Sequence, residues 1–290
     1  MSTDHLEFDK PLAVFFLLGY AIAWSFIPLL AWIASTSGLD SWIELSTMAE
    51  RWDYQDTELT APAWLLYLIT RIQDFGFSIA GITMILYVQG WQGIVELKDR
   101  LLAWRIGWTW LLVALLPLVF YFVAMLLAGG LDSFIISGDR VYDMFLSLES
   151  GLLITLLLRG PMGEELGLRG FALPRLLLRY SAFKASCIIG LLWALWHLPV
   201  LLDKNLVSII VFLLLAFVLS FLFTWIYIGS NGSLVAVLLF HATQNNEETF
   251  ELLFPALQNA DWELPSSLLL LILGLSAAVI LYRRTSSNSN

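Results

Sequence analysis

A chain of 290 residues that is 59% hydrophobic and 13% charged falls outside the composition of soluble domains, where about a quarter of residues carry charge. Apolar runs of bilayer length, about 20 residues, recur along it and leave no room for a separate soluble domain. The net charge of −9, with no basic run or aromatic-basic stripe, excludes a nucleic-acid partner. In chain order the runs predict eight transmembrane helices, at about 11–34, 63–88, 108–128, 147–173, 184–202, 206–228, 233–254 and 265–282. In hydrocarbon every backbone donor and acceptor must be satisfied within the segment, so each run is read as a helix. The expected fold is therefore an all-α, polytopic membrane bundle, a single domain over 1–290 with the chemistry concentrated in a core at about 147–254.

The first run is longer than the 7–15 apolar residues of a signal-peptide core, and no small-x-small cleavage site follows it, so it is read as a retained span. The connection that follows, 35–61, holds most of the net negative charge: Asp40, Glu44, Glu50, Asp53, Asp56 and Glu58 face only Arg51. Basic residues gather instead at 89–107 (Lys98, Arg100, Arg105), at 174–184 (Arg175, Arg179, Lys184) and after the last span (Arg283, Arg284). This alternation predicts a multi-pass protein of the cell membrane with both termini in the cytoplasm. Two of the basic connections, Leu97–Arg105 and Leu173–Tyr180, are amphipathic enough to lie along the membrane interface. The single cysteine, Cys187, is read as a small apolar helix residue.

Ionisable groups inside spans are costly and usually functional. Arg71 and Asp74, three apart on one helix, are expected to neutralise each other. Glu149 and the group Glu247, Glu248 and Glu251 fall near span ends where they can reach water. The remainder lie on three helices. In Gly163-Glu164-Glu165-Leu166-Gly167-Leu168-Arg169-Gly170, Glu165 and Arg169 share a face and can pair. Glu164 is rotated about 100° from Glu165 and is left free to exchange a proton, as a general base must. The second helix carries Trp193 one turn before His197, close enough to pack on its ring. The third carries His241 and Asn245 on one face. Glu164 stands 11 residues before Arg175, His197 stands 13 after Lys184, and His241 stands 11 after Ser230. At 1.5 Å per residue, all three lie about 15–20 Å from the same predicted boundary. Three helices thus bring a carboxylate, two imidazoles and an amide to one level.

Glu-Glu-x-x-x-Arg, aromatic-x-x-x-His and His-x-x-x-Asn, in that order on membrane helices, resemble the three motifs of the CAAX-protease and bacteriocin-processing (CPBP) family, which includes the type II CAAX prenyl endopeptidases. The second motif usually begins with Phe, where this chain has Trp193. The resemblance implies an intramembrane endopeptidase acting on a membrane-associated protein or peptide, a prenylated tail or a peptide precursor. It implies that Glu164 and His197 activate water, that His241 and Asn245 donate to the oxyanion, and that Glu165 and Arg169 support them. Glu164, His197 and His241 are also the candidate ligands of a zinc ion, two imidazoles and a carboxylate with one position open. No His-Glu-x-x-His helix accompanies them, so no cofactor is strictly implied and metal-free activation is the favoured reading. The alternatives are a non-catalytic binding or bacteriocin-immunity protein using the same cavity, and a transporter, against which the lack of an inverted repeat counts.

Overall fold

The computed structural model describes residues 9–51, 58–129, 151–246 and 263–287, and all regular secondary structure among them is helical. Among the described residues, five helical segments are long and apolar enough to cross a membrane: Lys10–Thr36, Gly76–Leu101, Gly107–Ala128, Leu206–Gly229 and Pro265–Thr285. Ala182–Trp196 and Leu234–Gln244 are apolar but shorter. The chain is an integral membrane protein built as an all-α bundle.

Several expected spans are divided. The first is two helices, α1 (Lys10–Trp24) and α2 (Ile27–Thr36), parted where Pro28 removes a backbone donor from the first turn of α2. The expected span 63–88 ends early as α4 (Ala63–Asp74), and a longer helix, α5 (Gly76–Leu101), begins after Phe75. Hydropathy runs through this join because Arg71 and Asp74 are its only charges. They form the expected pair at 2.9 Å, and Arg71 also donates to the Leu158 carbonyl. Inside α5 the backbone breaks at Gly90 (φ 63°, ψ −154°), a region open essentially to glycine alone. The amphipathic stretch from Leu97 is thus the end of a short helix set at an angle to the span. Leu97 is buried while Lys98 and Asp99 are exposed.

The acidic connection is not wholly a loop. Trp42–Arg51 forms α3, and Leu45 and Ala49 are buried with Leu30, Ile33, Leu66 and Ile69 in a small apolar layer between α2, α3 and α4.

The main core joins the remaining helices: α6 (Gly107–Gly129), α7 (151–158), α8 (Gly160–Gly167), α9 (Leu173–Leu177), α10 (Ala182–Trp196), α11 (Leu206–Gly229), α12 (Leu234–Gln244) and α13 (Glu263–Ser287). The expected span 147–173 is interrupted: α7 stops at Arg159, whose backbone is extended (φ −123°, ψ −161°), and α8 starts anew with Pro161 in its first turn. Proline favours that position because its missing donor would have no partner there. The short α8 packs against α5 and α12, while α11 packs against α10, α12 and α13. Ser78 of α5 donates to the Met162 carbonyl at 2.8 Å. On the far side, Tyr20 and Trp24 of α1 donate to the carbonyls of Leu192 and Trp196, tying α1 to the end of α10.

Candidate active site

Glu164 and Glu165 sit in the second turn of α8, and their neighbours differ completely. Glu165 is 0% exposed, as is Arg169, which lies on the π-helical turn Leu168–Ala172 that continues α8. Such turns recur at functional sites. Arg169 donates to Glu165 Oε1 at 3.0 Å, as the spacing predicts. The same oxygen receives His241 Nδ1 at 2.8 Å. Above the guanidinium lie two aromatic faces, Phe223 of α11 at 4.5 Å and Trp193 of α10 at 5.3 Å, a geometry that attracts a cation. This ion pair is enclosed on every side by its own ligands and by aromatic rings.

Glu164 instead faces a cavity of about 200 Å³ enclosed by α8, α10, α11 and α12, and Trp193, His197, His241 and Asn245 line it as well. Its Oε2 accepts from Trp193 Nε1 at 2.5 Å. The sequence motif suggested only ring packing for Trp193, which does occur, with the rings of Trp193 and His197 5.6 Å apart in an edge arrangement. An indole N–H seeks a partner when buried, and that signal was present in the Trp-for-Phe exchange.

Both histidine tautomers follow from their partners. His197 is the C-cap of α10, where Pro199 two residues on prevents the α-helix from continuing. Its Nδ1 lies 2.9 Å from the Trp193 carbonyl, which can only accept, so Nδ1 carries the proton. A neutral His197 therefore presents a bare Nε2. His241 Nδ1 donates to Glu165 in the same way, so a neutral His241 also has no proton on Nε2. Asn245 is the C-cap of α12. A methyl group added at Gly160 would lie 2.7 Å from Glu164 Oε1 and 3.3 Å from Asn245 Nδ2. That glycine leaves open the space where carboxylate and amide approach.

The expected metal donors are not the ones drawn together. Among the described residues, the compact group of ligand atoms, within 4.8 Å of one another, is Glu164, Glu165 and His241, not Glu164, His197 and His241. Glu149 and the Glu247, Glu248 and Glu251 group lie outside the described residues. Sequence reasoning missed the apolar wall given by α11, where Phe212, Leu215 and Leu219 line the cavity. Nothing in that uniformly apolar helix marks one face over another.

Residues 147–246 match the family model described as type II CAAX prenyl endopeptidase Rce1-like. The chain is also similar to CAAX prenyl protease 2 of Methanococcus maripaludis, 34% identical over 131 residues, which is 41% of this chain and 47% of the relative. The chain spans about half the length of that curated relative. Every side chain of the cavity named above falls within the matched segment, so the likeness to the Rce1-like family covers residues 147–246 and with them the whole candidate site.

Proposed function

We propose that the chain is an intramembrane endopeptidase in which Glu164 activates a water molecule. The observation that carries this reading is the single cavity shared by Glu164, His197, His241 and Asn245, beside a second glutamate spent on an ion pair. A water has two protons to place. One O–H donates a hydrogen bond to Glu164, whose Oε2 is held by Trp193, and the other donates to the bare Nε2 of His197. The oxygen lone pair is then free to attack a peptide carbonyl. Glu164 removes a proton as the C–O bond forms and returns it to the leaving amine as the C–N bond breaks.

The oxyanion is met by Asn245 Nδ2 and by His241. With Nδ1 committed to Glu165, His241 reaches the oxyanion through Nε2, and it donates there when that nitrogen carries the second ring proton. The compact group Glu164, Glu165 and His241 does not fit a resident zinc ion, which would supply Lewis-acid chemistry. In the compact group, Glu165 Oε1 already meets a guanidinium at 3.0 Å and an imidazole at 2.8 Å, and a fixed positive charge there opposes a second cation. Stripping the purified protein with a strong chelator is therefore expected to leave activity intact; complete loss restored by zinc would refute this version.

The name of the relative supports a lipidated or precursor peptide at a membrane as substrate. The Lys/Arg bias supports a cell-membrane protein with cytoplasmic termini. The deciding experiment is comparative proteomics of membranes carrying the wild type or Glu164→Ala. The expected result is one or more peptide ends present only with the wild type; identical sets of ends would point to the non-catalytic binding protein.

A further inference from the structure

A second pocket, of about 80 Å³, adjoins the site at the break between α1 and α2, and His197 lines both cavities. Three indoles, those of Trp24, Trp42 and Trp196, line it together with Thr70 and Ser46. Two of these residues carry an unmet hydrogen-bonding group: Trp196 Nε1 and Ser46 Oγ are buried and have no partner among the described residues. Asp74 also lines the pocket, its carboxylate paired with Arg71 at 2.9 Å, and the other polar neighbours are committed. Thr70 donates to Tyr67, Gln73 to Ala23, and Trp24 to the Trp196 carbonyl. Buried donors are almost always paired, and one left without an acceptor is destabilising. Two such groups in one small apolar pocket, separated from the catalytic cavity by one imidazole, mark a place for an acceptor that arrives with a ligand. An extended peptide advances about 3.3 Å per residue, so a chain lying in the main cavity reaches past His197 within one or two residues.

We propose that this pocket is a second substrate subsite. It takes one apolar residue of the peptide on the far side of the scissile bond, and a carboxyl oxygen of that residue accepts from Trp196 Nε1 and Ser46 Oγ. The acceptor is either an internal backbone carbonyl or the terminal carboxylate of a short leaving segment. The place of this subsite in a reaction rests on the endopeptidase reading; the binding itself does not.

The test uses the full chain carrying Glu164→Gln in lipid nanodiscs, with indole-¹⁵N tryptophan, titrated with N-acetyl-Ala-Leu as the free acid and as the C-terminal amide. The Trp196 indole resonance is identified by its absence from the Trp196→Phe variant. Both peptides are expected to move that resonance, and Ser46→Ala is expected to weaken binding about tenfold. Tighter binding of the acid assigns the pocket to a terminal carboxylate, and equal binding assigns it to an internal carbonyl; either upholds the subsite. A Trp196 resonance unmoved by both peptides overturns it, as does wild-type affinity in Ser46→Ala and Trp196→Phe together. A resonance shift in Glu164→Gln together with a wild-type chain that cleaves nothing would instead condemn the endopeptidase reading alone.

Discussion

The two sides of α8 present the same functional group in opposite circumstances. Behind the helix, Glu165 is sealed against Arg169, His241 and the rings of Trp193 and Phe223. In front, Glu164 is 5% exposed, opens onto a cavity, and accepts a hydrogen bond from the indole of Trp193. Adjacent residues on a helix point about 100° apart, and here that rotation separates a carboxylate held in an ion pair from one that faces a cavity. A buried charge tied to a guanidinium and an imidazole is held in place. One with a single donor and a cavity in front of it can take and release a proton.

The contrast can be broken from either side. The largest expected effect is on turnover: Glu164→Gln removes the proposed base and should lower kcat by about 10²–10⁴-fold, measured on a peptide identified from wild-type membranes. Behind the helix, Arg169→Met leaves the Glu165 charge short of its cation. Breaking a buried pair costs about 3–5 kcal/mol, to be read from denaturation in detergent. Asn245→Ala removes one oxyanion donor and should cost about 10²–10³ in kcat with folding intact, which sharpens the case that the front of the helix is chemical. The smallest effect is expected at Trp193→Phe, which keeps the ring and loses the N–H. Loss of one charge-assisted hydrogen bond should reduce kcat roughly tenfold while leaving KM in place.

The membrane character and the site were legible to different depths. Hydropathy located the apolar helices because bilayer length is a coarse, additive property. The pairing of Glu165 with Arg169 and of Arg71 with Asp74 was legible because i,i+3 and i,i+4 neighbours depend only on helix geometry. Counting along the helices from their connections set Glu164, His197 and His241 at one level, and the three line one cavity. Breaks were not: the extended backbone at Arg159 and the turn at Gly90 leave the hydrophobic window unchanged. The helix Trp42–Arg51 was hidden by its acidity, although Trp42, Leu45 and Ala49 follow helical spacing. The Glu165–His241 and Glu164–Trp193 bonds join residues 76 and 29 positions apart, and no local pattern reports such partners.

The contrast between the two glutamates can be tested without knowing a substrate, by comparing thermal unfolding of Glu164→Gln and Glu165→Gln in the same detergent. If α8 separates a reactive carboxylate from a structural one, Glu164→Gln unfolds with the wild type and Glu165→Gln unfolds several degrees lower. Equal losses of stability, or a larger loss for Glu164→Gln, would contradict the division of roles.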